Sequence, residues 1–230
     1  MSDFWWELSK LFRIRFFYLA TKGHIKKLTA LYVLITGFLS LAVLGAVSYF
    51  FSWPLVFPSL GPTAFLIFYA PAKAMSWPRN CVLGHLIAMV CGWLTYLLFL
   101  WLFPEKAIHT QFGAQFGLAK TLFVSGAMAI TALLMVLFEV LHPPAASTAM
   151  LAAGGYFENY MDVLGFILAL FLLLIEGIVL HRLAGIIYPL WKIKGQREEP
   201  AIRTKIGEVG KVSSDDPYAT LAHHLVTKRE

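Results

Sequence analysis

Charge is scarce in this chain of 230 residues: Asp, Glu, Lys and Arg make up 14 %, against a hydrophobic share of 59 % and a mean hydropathy of +0.70. Soluble domains hold roughly 45–50 % apolar residues, so the composition is that of an integral membrane protein. Cysteine is nearly absent. Cys81 and Cys91 are the only two, in one apolar segment, which excludes a secreted disulfide framework and zinc-finger spacing, and they read as small apolar residues facing lipid. The chain also lacks a P-loop, a dinucleotide-binding glycine fingerprint and any HExxH or HxxxH spacing, so neither a cofactor nor a metal is expected. The excess positive charge is missing from the apolar middle: residues 28–191 carry five acids and five bases, while 1–27 net +4 and 192–230 net +2. Basic flanks around an electroneutral apolar block are what cytoplasmic flanks of membrane spans look like, and they make nucleic acid an unnecessary partner.

What is present is long and apolar. Residues 28–52 contain no charge and reach about 37 Å as a helix, enough to cross a bilayer with some tilt. Further spans are predicted over 81–103, over about 118–141 with Lys120 and Glu139 at its ends, and over about 161–181 with Glu176 inside. Asp3, Glu7 and six basic residues precede the first span with no small-residue cleavage site, so that span is expected to be kept as an anchor.

Between the first two spans, and again between the last two, lie apolar stretches broken by Pro and Gly. Each holds only about ten to twelve residues of plausible helix, too few to cross alone. Irregular backbone at membrane depth is tolerated only where protein buries it or it lines a wet cavity, so these stretches are candidates for the working site. A shift of 81 residues lays Leu60-Gly61-Pro62-Thr63-Ala64 on Leu141-His142-Pro143-Pro144-Ala145. The predicted fold class is therefore all-α membrane, with four full transmembrane helices, two half-helical segments and two pseudo-repeats, 28–103 and 109–184. Paired interrupted segments in matching places are a sequence pointer to a transporter's binding site.

Lys10, Arg13, Arg15, Lys22, Lys26 and Lys27 precede the first span, and Arg182, Lys192, Lys194 and Arg197 follow the last. Both termini are thus expected in the cytoplasm, which demands an even number of crossings: four with two re-entrant loops, or six if the broken segments traverse. Residues 1–27 mix Trp5, Trp6, Phe12, Phe16 and Phe17 with basic side chains and read as an interfacial helix on membrane lipid. Residues 192–230 read as a mobile cytoplasmic tail. Gly37, Ser40, Gly45 and Ser48 give the first span a small-residue face, from which a homo-oligomer is expected.

The strings Gly61-Pro62-Thr63-Ala64-Phe65, Trp77-Pro78-Arg79-Asn80, Gly84-His85 and Leu141-His142-Pro143-Pro144-Ala145-Ala146, in this order, resemble the HPP family of integral membrane proteins over roughly residues 28–185. Some members of that family are described as nitrite transporters. The resemblance implies transport of a small inorganic anion, with nitrite the first candidate and nitrate, formate and chloride behind it. With neither a transit peptide nor an appended regulatory domain read from the chain, a bacterial inner membrane is its expected place.

An anion crossing hydrocarbon needs its hydration replaced without being trapped by a full countercharge, and helix N-termini offer unpaired N–H groups and about half a positive charge each. Proline favours the first helical position, so Pro62 and Pro143 or Pro144 are expected to start short helices, with Gly61 and His142 as caps. Thr63, Ser147 and Thr148 would add hydroxyl donors, while Ala64, Ala145 and Ala146 allow close approach. Arg79, beside Asn80 as the expected cap of the second span, is a fixed cation that could attract the anion or reach for lipid phosphates. His85 and His142 could donate hydrogen bonds or carry protons, their ordinary pKa lying near 6.5. Glu139, three residues before His142, suggests a pair that loads a proton with the anion. Glu176 deep in the last span must be neutral, paired or facing water, and is a further proton-coupling candidate. A metal-dependent enzyme built on His85, His142, His181 and Glu139 or Glu176, and a scaffold signalling through the tail, are the competing classes. Missing ligand spacing counts against the first, and the paired broken segments against the second.

Overall fold

The computed structural model of the chain describes residues 25–104, 117–157, 159–186 and 188–192. Contacts divide the chain into a unit of residues 1–193 and a second of 194–230, and the expected interfacial segment before residue 25 and the tail beyond residue 192 lie outside the described residues. Six helices and no strand occur among those described: α1 (Ile25–Phe51), α2 (Leu60–Tyr69), α3 (Pro78–Leu102), α4 (Leu118–Leu137), α5 (Ala145–Ala153) and α6 (Tyr160–Ala184), with one 3₁₀ turn at Ala74–Ser76. The helices α1, α3, α4 and α6 are each long and apolar enough to cross a membrane. At 10 and 9 residues, α2 and α5 are not.

Local chemistry sets most of these ends. Pro78 stands at the first turn of α3, where its missing N–H costs nothing. Asn159 and Asp162 close a capping box on α6, and Gly185, in the left-handed region at φ +74°, ends that helix. The helix α2 stops at Tyr69 because Pro71 disfavours helical backbone at Ala70. One span is shorter than its hydropathy suggests. Helix α4 ends at Leu137 rather than near residue 141, since Glu139 adopts φ +53° and Pro143 and Pro144 follow.

Side-chain contacts fix the direction of every helix. Tyr32, early in α1, touches Phe68 late in α2 and His181 late in α6. Pro54, just past α1, lies against Gly165 at the start of α6. At the other end the Arg79 N–H, opening α3, donates to the Trp191 carbonyl beyond α6, and its guanidinium reaches the Glu139 carbonyl beyond α4. Phe99 late in α3 meets Phe123 early in α4, and Tyr96 meets Gly155 just past α5. The chain therefore alternates direction through all six helices. The broken segments carry it from one end of the helix bundle to the other rather than turning back. The start of α1 and the residues after α6 share one end.

Packing does not follow the chain halves. The helices α1, α2 and α6 touch one another, as do α3, α4 and α5, so each half lends its third helix to the other group. The first group packs on large side chains: Leu44, Phe57, Phe68, Phe166, Leu170 and Leu173. The second packs on small ones, Ala88, Ala145 and Ala149 with Met135, and Ala127 and Ala153 with Val124. Between membrane helices hydrophobicity gives no drive, so close backbone approach and dispersion hold them together. Gly92 is where that approach is tightest, for a Cβ there would stand 2.5 Å from both the Ala149 carbonyl oxygen and the Ala152 Cβ. The small-residue face expected on α1 is split: Ser40 is fully buried within the chain and the Ser48 hydroxyl donates to the Trp53 carbonyl, whereas a Cβ on Gly37 or Gly45 would meet nothing within 4 Å. Gly92→Val should therefore lower the unfolding midpoint in detergent by the equivalent of at least about 1–3 kcal/mol, the usual range for overpacking. Gly45→Ala should leave it unchanged or raise it, and equal loss in both variants would contradict the α3–α5 packing.

Candidate functional site

The two short helices hold a corresponding residue at the same place. Thr63 is the fourth residue of α2 and Thr148 the fourth of α5, so they stand 85 residues apart, and the offset of 81 that the sequence suggested would have paired Thr63 with Pro144. Both hydroxyls meet one imidazole. Thr63 Oγ1 is 2.9 Å from His85 Nε2, and Thr148 Oγ1 is 2.8 Å from His85 Nδ1. Thr63 Oγ1 also stands 3.1 Å from His142 Nε2 and 3.2 Å from the Ser59 carbonyl oxygen. The rings of His85 and His142 are edge to face with centroids 4.9 Å apart, and Phe166 of α6 closes the far side of His85 at 5.3 Å. None of Thr63, His85, His142 and Thr148 is more than 1 % exposed.

Elementary donor counting orders this network. His142 Nδ1 lies 2.7 Å from the carbonyl oxygen of Met75, which can only accept, so Nδ1 carries a hydrogen. In a neutral ring Nε2 must then accept, and Thr63 supplies the proton by turning its hydroxyl from the Ser59 carbonyl oxygen to the ring. Thr63 has a single hydrogen to give, so His85 must donate from Nε2 to Thr63 Oγ1, which leaves His85 Nδ1 to accept from Thr148. The neutral order runs Thr148 to His85 to Thr63 to His142 to Met75, each hydroxyl and ring accepting once and donating once.

The Gly84-His85 dipeptide and the His-Pro-Pro string are interlocked. A Cβ at Gly84 would stand 2.8 Å from His142 Cβ and 3.5 Å from Ala145 Cβ, so only glycine lets α3 lie against the loop that carries His142. The carbonyls at the end of α2, which accept the N–H groups of Ala70 and Lys73, meet a second donor here. Ser76 Oγ lies 3.0 Å from the Leu66 oxygen and 2.7 Å from that of Ala70, and the Tyr188 hydroxyl donates to the Ser76 carbonyl at 2.5 Å.

Other residues singled out from the sequence fall elsewhere. Helix α2 starts at Leu60 with Ser59 as its cap and α5 starts at Ala145 with Pro144 as its cap, so Gly61 and His142 are not caps, although Pro62 and Pro144 do sit at the helix beginnings. Ala64 and Ala145 are buried, whereas Pro62 and Pro143 are exposed and Gly61 half-exposed. The Ser147 hydroxyl donates back to the Pro144 carbonyl at 2.6 Å, which occupies its proton within its own turn. Asn80 lies inside α3, whose cap is Trp77; its amide reaches the Leu141 carbonyl at 3.4 Å. Arg79 gives Nη1 to Asn80 Oδ1 at 3.1 Å and to the Glu139 carbonyl at 3.2 Å, so it ties the start of α3 to the loop before α5.

Glu139 and His142 do not form the expected pair. The helix has ended before either residue, Glu139 is exposed, and both nitrogens of His142 are engaged elsewhere. Glu176 sits between α6 and α1, where its carboxyl faces Ser40 and not the imidazoles. His181 donates from Nδ1 to the Gly177 carbonyl at 2.6 Å and is stacked between the rings of Phe68 and Tyr188. No cluster of three or more His, Cys, Asp or Glu side chains able to hold a metal occurs among the described residues.

Three participants were not evident in the sequence. Cys81, read as lipid-facing, is fully buried with Sγ 3.6 Å from His142 Nδ1 and 3.5 Å from the Ser76 oxygen. Its position four residues before His85, one turn away on the same helical face, was the available signal. Met75 and Ser59 act through backbone carbonyls, which no residue type announces.

A sequence model of the family described as "HPP, transmembrane region" matches residues 22–192, most of the chain. No curated protein and no solved structure matches it.

The left-handed backbone at Glu139 yields a test of the loop. An L residue there costs about 1–2 kcal/mol that glycine avoids, set against roughly 0.5–1 kcal/mol of glycine's extra unfolded-state entropy. Glu139→Gly should therefore hold or raise the unfolding midpoint, and Glu139→Val should lower it. A marked loss in Glu139→Gly would mean that the glutamate side chain holds the loop.

Proposed function

We propose that this chain, which belongs to the HPP transmembrane family, carries a small inorganic anion across its membrane at the junction of the two broken helices. One observation carries the reading: the first turns of α2 and α5, which approach from opposite ends of the molecule, converge on His85 through Thr63 and Thr148. Two helix N-termini then direct partial positive charge at one point near the middle of the fold, which is how discontinuous helices meet an anionic group in transporters. Nitrite is the first candidate, followed by nitrate, formate and chloride. Arg79, at the end where α1 begins, adds fixed charge near the mouth. Lys26, Lys27 and Lys192 lie at that same end, which supports a cytoplasmic placement for it in a bacterial inner membrane.

A carrier is favoured over an open channel. Thr63 comes from the α1–α2–α6 group, whereas His85, His142 and Thr148 come from the α3–α4–α5 group, and the meeting point is sealed from solvent. Passage requires the two groups to shift against each other around the site, as rocking bundles do in alternating access. The chemistry asked of the protein is solvation and release, with no covalent step.

Purified protein in proteoliposomes should take up nitrite well above protein-free vesicles, and parallel assays of nitrate, formate and chloride rank the substrates. Thr148→Val keeps the volume and removes the hydroxyl that meets His85 Nδ1, leaving a buried acceptor without its partner at about 1–3 kcal/mol, so it should cut uptake about tenfold. Flux of none of the four anions, or wild-type flux in Thr148→Val, would overturn the reading.

A further inference from the structure

We propose that His85, Thr63 and His142 form a proton relay whose hydrogen-bond order reverses as a unit when one proton enters, with Thr63 as the hinge between the two helix groups. The neutral order derived above is fixed at one end by the Met75 carbonyl, which never donates, so His142 Nδ1–H is constant and all freedom lies at its Nε2.

The transfer balances without a further reactant. A proton arriving at Thr148 Oγ1 displaces the hydroxyl proton already shared with His85 Nδ1, which becomes N–H. His85 then gives its Nε2 proton to Thr63 Oγ1, across 2.9 Å, and Thr63 gives its own to His142 Nε2, across 3.1 Å. His142 ends as the imidazolium, His85 ends neutral with its hydrogen on Nδ1, and both threonines keep one proton each. Every hydrogen bond in the chain except the one to Met75 has changed direction. Return follows the same steps backwards. Thr63 makes two bonds across the group boundary in either state, but in the loaded state one of them comes from an imidazolium and is charge-assisted, which gives the relay a means of biasing the movement of the two groups.

The surroundings suit a relay confined to these groups. His85 is faced by Thr63 of α2, His142 of the loop before α5, Thr148 of α5 and Phe166 of α6, of which only His142 titrates; the Cys81 thiol stands 3.6 Å from His142 Nδ1. A competing arrangement exists. Thr63 Oγ1 is 3.2 Å from the Ser59 oxygen, so the hydroxyl could turn there and accept from both rings, leaving His85 unchanged when His142 is charged.

Solid-state or solution ¹⁵N spectra of the full chain labelled at histidine and held in lipid nanodiscs separate these arrangements without any substrate. His85→Gln and His142→Gln serve to assign the signals. At high pH His142 should be the Nδ1–H form and His85 the Nε2–H form. As pH falls, His85 should switch to Nδ1–H in the same step that charges His142, in the wild type and in Thr63→Ser. In Thr63→Val the His85 switch should be lost while His142 still charges. A neutral His85 that keeps Nε2–H through that step, identical starting tautomers in the two rings, or an unchanged switch in Thr63→Val would each overturn the relay. The coupling to transport rests on the anion reading and is measured apart from it: in proteoliposomes Thr63→Val should lose at least tenfold more of the anion accumulation driven by a pH gradient than of downhill anion exchange. Retained accumulation in that variant would refute the coupling, whereas absence of flux of all four anions in the wild type would refute the anion reading and leave the spectra to decide the relay.

Discussion

Backbone carbonyls released by a broken helix at membrane depth must find donors inside the protein, because lipid offers none and each unsatisfied group costs several kcal/mol. This constraint accounts for the placement of most polar side chains around the broken segments. Ser76 serves the end of α2, Tyr188 reaches from beyond α6 to the Ser76 carbonyl, and His142 serves Met75. The last of these has the widest consequence. Once His142 Nδ1 is committed to a carbonyl and Thr63 turns its hydrogen to His142 Nε2, donor counting orders the protons out to Thr148. A backbone need at one broken helix thus orders a side-chain network that reaches the other.

The same network explains why packing crosses the chain halves. If α3 stayed with α1 and α2, the boundary would fall between Thr63 and His142 and between His85 and Thr148 instead. With α3 lent to α4 and α5, His85 and His142 lie in one group and Thr63 reaches them from the other. Glycine and alanine make the exchange feasible. Gly92 lets α3 lie on α5, Gly177 lets α6 lie on Ile67 of α2, and Gly84 makes room for His142. None of these positions has space for a side chain, so the polar site and the small-residue contacts are one design rather than two.

Much of this was legible in the sequence because apolar length and Pro/Gly interruption are local properties. The four long helices, the two short ones, and the gathering of Thr63, His85, His142 and Thr148 as site candidates all follow from them. What failed depends on features that residue types do not encode. The Glu139–His142 pairing assumed a helix continuing through a residue that adopts left-handed backbone. The caps assigned to Gly61 and His142 assumed that proline marks the first helical position, whereas Pro62 lies inside the first turn. Cys81 was assigned to lipid because hydropathy cannot tell lipid from a protein interior, the two being equally apolar. The course of the broken segments is hidden for a related reason: length alone shows that ten helical residues are too few to cross, and only contacts such as Arg79 with Trp191 and Pro54 with Gly165 show that the chain runs from one end of the helix bundle to the other.

The choice of threonine at the junction follows from what the position must do. A carboxylate there would only accept and a lysine only donate, and either would bring a charge into a site that no water reaches, at a cost of several kcal/mol. A hydroxyl is neutral, accepts while it donates, and can turn about its Cβ–Oγ bond. Serine would share this chemistry, but the threonine methyl fixes the rotamer more tightly in a helix and keeps Oγ1 within reach of the Ser59 carbonyl, His85 and His142 together. Thr148 needs less, because it meets only His85, and its neighbour Ser147 is spent on the Pro144 carbonyl one turn back. The two threonines thus occupy equivalent places on their helices without doing equivalent work: Thr148 terminates the chain of hydrogen bonds, and Thr63 connects its two imidazoles across the boundary between the helix groups.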